Sequence, residues 1–131
     1  MIITKDNWND TRWPNFTPDE LACKHCGALE MDADFLDEIQ HLRNIFGAPM
    51  TITSGYRCPN HPAEINKKTS GAHPQGKAID VAIQGPLAYR LIDHAFAMQF
   101  DGIGIAEREG NARFVHLDKG TNLPRPTIWS Y

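Results

Sequence analysis

A single carboxylate lies inside the apolar segment from Lys77 to Ile83, and this segment constrains the fold more than any other. Its alternating pattern is typical of a β-strand. The three β-branched side chains would face the core, so Asp80 would share the opposite face with Ala78 and Ala82. Because an unpaired carboxylate on a covered face is costly, Asp80 needs a partner there. Its small neighbours leave room for a metal ion and a substrate.

The other patterns predict three helices and three more strands. Thr17 can cap a short helix, in which Glu20 completes a capping box. A longer helix opens at Asp32 and ends at Gly47, and a third begins at Pro86. Strands are predicted near residues 50–53, 78–83, 102–106 and 113–118. The 131 residues therefore form one α+β domain, with about four strands in an antiparallel or mixed sheet and helices packed on one face.

Composition excludes several classes of protein. The net charge of −3 lacks the basic character of a nucleic-acid binder. No apolar run approaches the roughly 20 residues that cross a bilayer. The first residues, MIITKDNWND, lack the apolar core of a secretory signal. We therefore expect a protein made in the cytoplasm without a signal peptide, with no membrane insertion and no nucleic-acid partner.

A second set of polar residues points to a metal. His73 ends a long Gly- and Pro-rich loop, residues 54–76, of the kind that often carries function. On the last strand, His116 and Asp118 share the face opposite the apolar side chains. Two histidines and a carboxylate, with water in the fourth position, are a common catalytic zinc set. We predict one zinc per chain, held by His73, Asp80 and His116. The alternatives are a solvated loop histidine and an edge strand with a polar face.

These residues resemble a known family. The pattern His73, Gly76, Ala78, Asp80 and then a strand histidine is similar to that of the zinc D-alanyl-D-alanine carboxypeptidases. Phage endolysins that cleave L-alanyl-D-glutamate bonds belong to the same family, and its fold is shared with the Hedgehog signalling domain. Ser54-Gly55-Tyr56-Arg57 matches a further stretch, and the resemblance runs from about Phe16 to the C-terminus.

The resemblance implies a monomeric peptidoglycan hydrolase. The L-alanyl-D-glutamate bond of the stem peptide is favoured as substrate, and D,D cleavage comes second. Release to the cell wall would use a holin-like pore. The chain departs from the family at two positions: Gly71 stands where the family has a serine, and Arg113 stands where many members have a catalytic acid. The second departure favours the rival hypothesis, a zinc-containing binding module of the same fold without activity.

Because Arg113 cannot accept a proton, the catalytic base of the hydrolase must be another residue. We assign it to Asp118, which lies two residues from His116 on one strand face, roughly 6–7 Å along the strand. Asp118 can instead orient His116 from behind. Glu107 and Glu109, in a turn, are the competitors. Arg57 can bind a substrate carboxylate or the oxyanion, or it can form a surface ion pair.

Three cysteines remain: Cys23, Cys26 and Cys58. The odd number favours a reduced protein, with a bridge from Cys58 to another cysteine as the alternative. Cys58 and His61 can complete a second zinc site with the Cys-x-x-Cys pair, but burial as small apolar residues is the simpler interpretation. A nucleic-acid-binding zinc finger has little support from the charge or the ligand count.

Overall fold

The computed structural model describes residues 1–131 and contains a five-stranded mixed sheet and a separate two-stranded ribbon. The sheet has the order β3-β4-β6-β5-β7, in which only the β5–β7 pair is parallel. The elements are β1 (Ile2–Ile3), a 3₁₀ turn (Lys5–Asn7), α1 (Pro18–Leu21), β2 (Met31–Asp32), α2 (Ala33–Phe46), β3 (Thr51–Ser54), β4 (Ala78–Ala82), α3 (Gly85–Ala97), β5 (Gly102–Ala106), β6 (Phe114–Asp118) and β7 (Thr127–Ser130).

The first two helices, α1 and α2, begin at the capping residues that the sequence predicts. The Thr17 side chain accepts the Glu20 backbone N–H, and the Glu20 carboxylate accepts the Thr17 N–H, which completes the capping box. Asp32 caps α2 by accepting the Phe35 N–H. Gly47 ends α2 with φ 72°, a left-handed conformation that glycine adopts without strain. These local signals set the register of the helices that cover the sheet.

The hydrophobic core lies on one face of the sheet, against α2 and α3. Ile79 and Val81 of β4 and Val115 and Leu117 of β6 belong to it and are fully buried. Its largest fully buried side chains are aromatic: Trp13, Phe35, Phe46 and Phe100. The alternation of β4 therefore sends its apolar side chains to the helices, as predicted, and leaves Asp80 on the opposite face.

The predicted α+β class is confirmed, with one more strand in the sheet and a separate two-stranded ribbon. The C-terminal tail supplies β7, which pairs in parallel with β5, and β1 pairs with β2. Both additions come from segments too short or too proline-rich for a clear periodic signal. None of the helices combines the length and apolarity required to cross a membrane. Because the tail supplies β7, it flanks the face of the sheet that bears Asp80 and His116.

Candidate metal centre

The register between β4 and β6 brings the predicted metal ligands together. Asp80 is the direct cross-strand partner of His116, so both side chains lie on the same face of the sheet, as predicted. His73 comes from the end of the long loop, where Gly76 N–H donates to the His73 carbonyl and closes a turn. Gly76 has φ +70°, and a Cβ there would collide with the Glu30 carbonyl. The turn therefore requires glycine.

The three side chains form a compact donor set. The Nε2 atom of His73 lies 3.4 Å from Asp80 Oδ1, and the Nδ1 atom of His116 lies 3.0 Å from the same oxygen. One ligand atom from each residue falls within 4.8 Å of the others, and all three residues are buried. Two imidazoles and one carboxylate are the protein ligands of many catalytic zinc sites.

The remaining ring nitrogens determine which atoms can bind a metal. His73 Nδ1 lies 2.7 Å from the Gly55 carbonyl, and His116 Nε2 lies 2.6 Å from Asp118 Oδ2. Both oxygens only accept hydrogen bonds, so these nitrogens carry the hydrogens. Burial would lower the pKa of His116, but its hydrogen bonds with Asp118 and Asp80 raise it. A metal would therefore displace the hydrogen from His116 Nδ1 and bind there and at His73 Nε2, the two atoms that face Asp80. This donor set fits zinc, with both rings oriented from behind.

Burial and the close ion pairs shift the pKa values of the group. Burial lowers the pKa of His73, which keeps its ring neutral near pH 7. Burial alone would raise the pKa of Asp80, but the hydrogen bond from the His116 ring outweighs it and holds that pKa well below its usual range. The donor set therefore contains an ionised carboxylate, as a divalent cation requires.

Asp118 is buried behind His116, and both of its carboxylate oxygens accept hydrogen bonds. Arg125 pairs with both of its oxygens, at 2.9 and 2.7 Å, and the Gly120 N–H donates at 3.1 Å. Burial would raise the pKa of Asp118, but hydrogen bonds with His116 and Arg125 lower it well below its usual range. Asp118 meets the Nε2 side of the His116 ring, away from the donor set. These contacts favour orientation of His116 over proton transfer, so the base role stays a prediction.

Close packing around Asp118 depends on a glycine. Gly102 of β5 is the cross-strand partner of Asp118, and a Cβ at Gly102 would collide with the Asp118 carboxylate. The strand next to β6 therefore leaves the space that this carboxylate occupies.

Arg57 contacts the same centre from the other side. Its Nη2 donates to Asp80 Oδ2 at 3.2 Å, its Nη1 to Glu64 Oε2 at 3.1 Å and its Nε to Ser54 Oγ at 3.1 Å. It is thus no surface ion pair: it holds the second oxygen of Asp80 and leaves Oδ1 to the histidines. Contact of Arg57 with a substrate stays a prediction.

A cavity of about 480 Å³ opens above the donor set. Three cationic side chains, Arg57, Lys67 and Arg125, line it beside His73 and His116. Its only carboxylates are Asp80 and Asp118, and both are ion-paired. A larger cavity, of about 640 Å³, lies between α3 and β7 but has no histidine or cysteine in its wall, so we place the chemistry in the smaller one.

The sequence did not reveal three residues of this site. Arg125 and Trp129 come from the tail, where Trp129 packs 5.0 Å from the His116 ring. Glu64 is buried beside Arg57 and Lys67 in the long loop. The only sequence signal for these residues is a charged or aromatic side chain in a segment without periodicity. Ion pairs between distant segments leave no such periodic pattern.

The two competing carboxylates lie outside the cavity. Glu107 accepts the Gly85 N–H and lies 4.0 Å from Arg113, and neither Glu107 nor Glu109 lines the cavity. Arg113 donates to Gln84 at the start of α3. None of these side chains reaches the donor set.

The cysteines form a second group of possible metal ligands. All three are free thiols whose sulfur atoms lie within 4.8 Å of one another. Cys23 and Cys58 are buried, but Cys26 is exposed. Its interpretation as a buried apolar residue is therefore wrong.

The sequence also matches a known family over most of its length. A family model described as Peptidase M15 matches residues 14–118, a range that includes all three donors and Asp118. The chain belongs to the Peptidase M15 family. No curated protein sequence matches it. M15 peptidases are zinc-dependent, so the chain is a metallopeptidase, and His73, Asp80 and His116 are the residues whose chemistry fits the zinc.

Proposed function

We propose that this M15 peptidase hydrolyses peptidoglycan stem peptides, with the L-alanyl-D-glutamate bond favoured and D,D cleavage second. The observation that carries the proposal is the buried donor set below a cavity with three cationic side chains. Stem peptides carry several carboxylates, and guanidinium groups bind carboxylates in a bidentate manner. The match to the Peptidase M15 family supports the same class of substrate.

The roles of the residues follow from their contacts. When bound, zinc supplies Lewis-acid chemistry for amide hydrolysis. His73, Asp80 and His116 would hold it, while the Gly55 carbonyl and Asp118 fix the two imidazole rings. In the reaction the amide C–N bond breaks, water supplies the new carboxylate oxygen, and the amine leaves with a proton.

Arg57 and Arg125 are each held in place by a carboxylate while they line the cavity. A substrate carboxylate that enters the cavity therefore meets prepositioned positive charge. We propose that the protein acts as a monomer at the cell wall after release through a holin-like pore.

One observation favours a second candidate, a zinc-containing binding module without activity. Both carboxylates of the cavity are ion-paired with arginines, so neither is free to act as the base. A module of this kind would bind stem peptides through the same cationic cavity without cleaving them.

A cleavage assay separates the two. Purified zinc-loaded protein is incubated with peptidoglycan, and new amino groups are labelled and identified. We expect labelled D-glutamate, which marks the favoured bond, and no signal after chelation or in His73→Ala. Free D-alanine as the only product would assign D,D cleavage instead. Binding of peptidoglycan without any new amine would support the module and refute the enzyme.

A further inference from the structure

The second group of ligands lies where α1 meets the start of the long loop. Cys23 follows α1, and Cys58 follows β3 by four residues. The Cys58 N–H donates to Cys23 Sγ at 3.3 Å. Beside them, the Tyr56 N–H donates to the Leu21 carbonyl at 2.9 Å. Two segments distant in sequence are thus joined by backbone contacts, and their sulfur atoms face each other.

A tight turn brings the third sulfur to the same place. The Gly27 N–H donates to the Cys23 carbonyl at 2.8 Å, and the Cys23 N–H donates to the Ala28 carbonyl at 2.8 Å. Gly27 has φ +79°, so the chain reverses directly after Cys26. The turn folds Cys26 back over Cys23.

The arrangement suits a metal better than a disulfide. A disulfide would use two of the three sulfurs and leave the third free, whereas all three lie within 4.8 Å of one another. Sulfur atoms around a tetrahedral zinc are about 3.8 Å apart, because each Zn–S bond is about 2.3 Å. A small closure of the turn therefore completes three bonds. Each turn also carries a histidine: His25 lies between Cys23 and Cys26, and the His61 N–H donates to the Cys58 carbonyl at 3.0 Å. The rings of His25 and His61 have centroids 6.1 Å apart.

We propose that Cys23, Cys26 and Cys58 form a second, structural zinc site, separate from the catalytic one. Each thiol gives up its proton when the metal binds. The site ties α1 to the loop that carries Arg57, Glu64 and His73. It therefore raises the expected zinc content above the single ion that the sequence predicts. It does not depend on the proposed activity, because its ligands touch neither the cavity nor the catalytic donor set.

Zinc analysis of the full chain, purified with a reducing agent, tests the proposal. We expect about two equivalents in the unchanged protein and about one in both Cys58→Ser and His73→Ala, from different sites. Cobalt substitution should give a sulfur-to-cobalt charge-transfer band in His73→Ala that Cys58→Ser lacks. One equivalent in the unchanged protein, retained in Cys58→Ser, would refute the site.

A titration of the unchanged protein covers the case in which Cys58→Ser does not fold. A mercurial reagent binds thiolates and displaces their metal, so three equivalents of reagent should release one equivalent of zinc. Release of no zinc after all three thiols have reacted would overturn the proposal. A disulfide between any two of the cysteines, detected by mass spectrometry without reductant, would overturn it as well.

Discussion

Replacement of Asp118 by asparagine removes one charge from the centre while keeping the size of the side chain. Asp118 is fully buried, and it accepts two hydrogen bonds from Arg125 and one from Gly120 in addition to its contact with His116. Loss of one partner from a buried ion pair costs about 3–5 kcal/mol of unfolding free energy. Because the free energy of unfolding of such domains is about 5–15 kcal/mol in total, Asp118→Asn should still fold at low temperature but with lower stability.

The contact at 2.6 Å with His116 Nε2 sets the expected effect on the metal. If Asp118 orients the ring, zinc affinity of the catalytic site should fall by about 10–100-fold, and activity should recover in excess zinc. If Asp118 is the base, saturating zinc should leave turnover lower by about 10²–10⁴. The contacts of Asp118 lead us to expect recovery.

The assay is peptidoglycan cleavage in a zinc titration, at a temperature where circular dichroism shows the variant folded. Asp37→Asn is the matched control, because Asp37 also accepts two hydrogen bonds from one arginine, Arg12, but lies outside the cavity. It should bind zinc as the unchanged chain does. Unchanged zinc affinity in Asp118→Asn, together with turnover at least 100-fold lower at saturation, would refute the orienting role.

Three further changes test the surroundings of the centre. Gly102→Ala forces a methyl group onto Asp118, so we expect the free energy of unfolding in denaturant to fall by about 1–3 kcal/mol and zinc binding to weaken. Gly110→Ala, at an exposed turn, should leave zinc binding unchanged. Arg125→Gln leaves Asp118 buried without its arginine, so the free energy of unfolding should fall by about 3–5 kcal/mol. Arg57→Gln should raise KM for stem peptides more than it lowers kcat; an unchanged KM would exclude substrate contact by Arg57.

Much of the fold and the metal ligands could be predicted because they depend on local periodicity. The two-residue period of β4 and β6 determines which side chains share a face, and it predicts that Asp80 and His116 lie together, as their pairing confirms. The caps at Thr17, Asp32 and Gly47 act over a few residues, and so they too can be read directly.

The remainder depends on contacts between distant segments. Strand parity places Asp118 beside His116, but it does not reveal that Arg125 comes back from the tail to neutralise it. The sequence leaves open whether Cys58 joins the Cys-x-x-Cys pair, and the folded loop brings its sulfur atom within 4.8 Å of the other two. Tertiary contacts of this kind leave no period in the sequence.

We predict that His73, Asp80 and His116 hold the zinc on which hydrolysis depends. The most direct measurement is zinc content and peptidoglycan cleavage in the same preparations of the unchanged chain and of His116→Ala, with His41→Ala, on the exposed side of α2, as control. We predict that His116→Ala contains one zinc equivalent fewer than the unchanged chain and releases no amines, while His41→Ala matches the unchanged chain in both. Full zinc content and full cleavage in folded His116→Ala would contradict this assignment of the metal ligands.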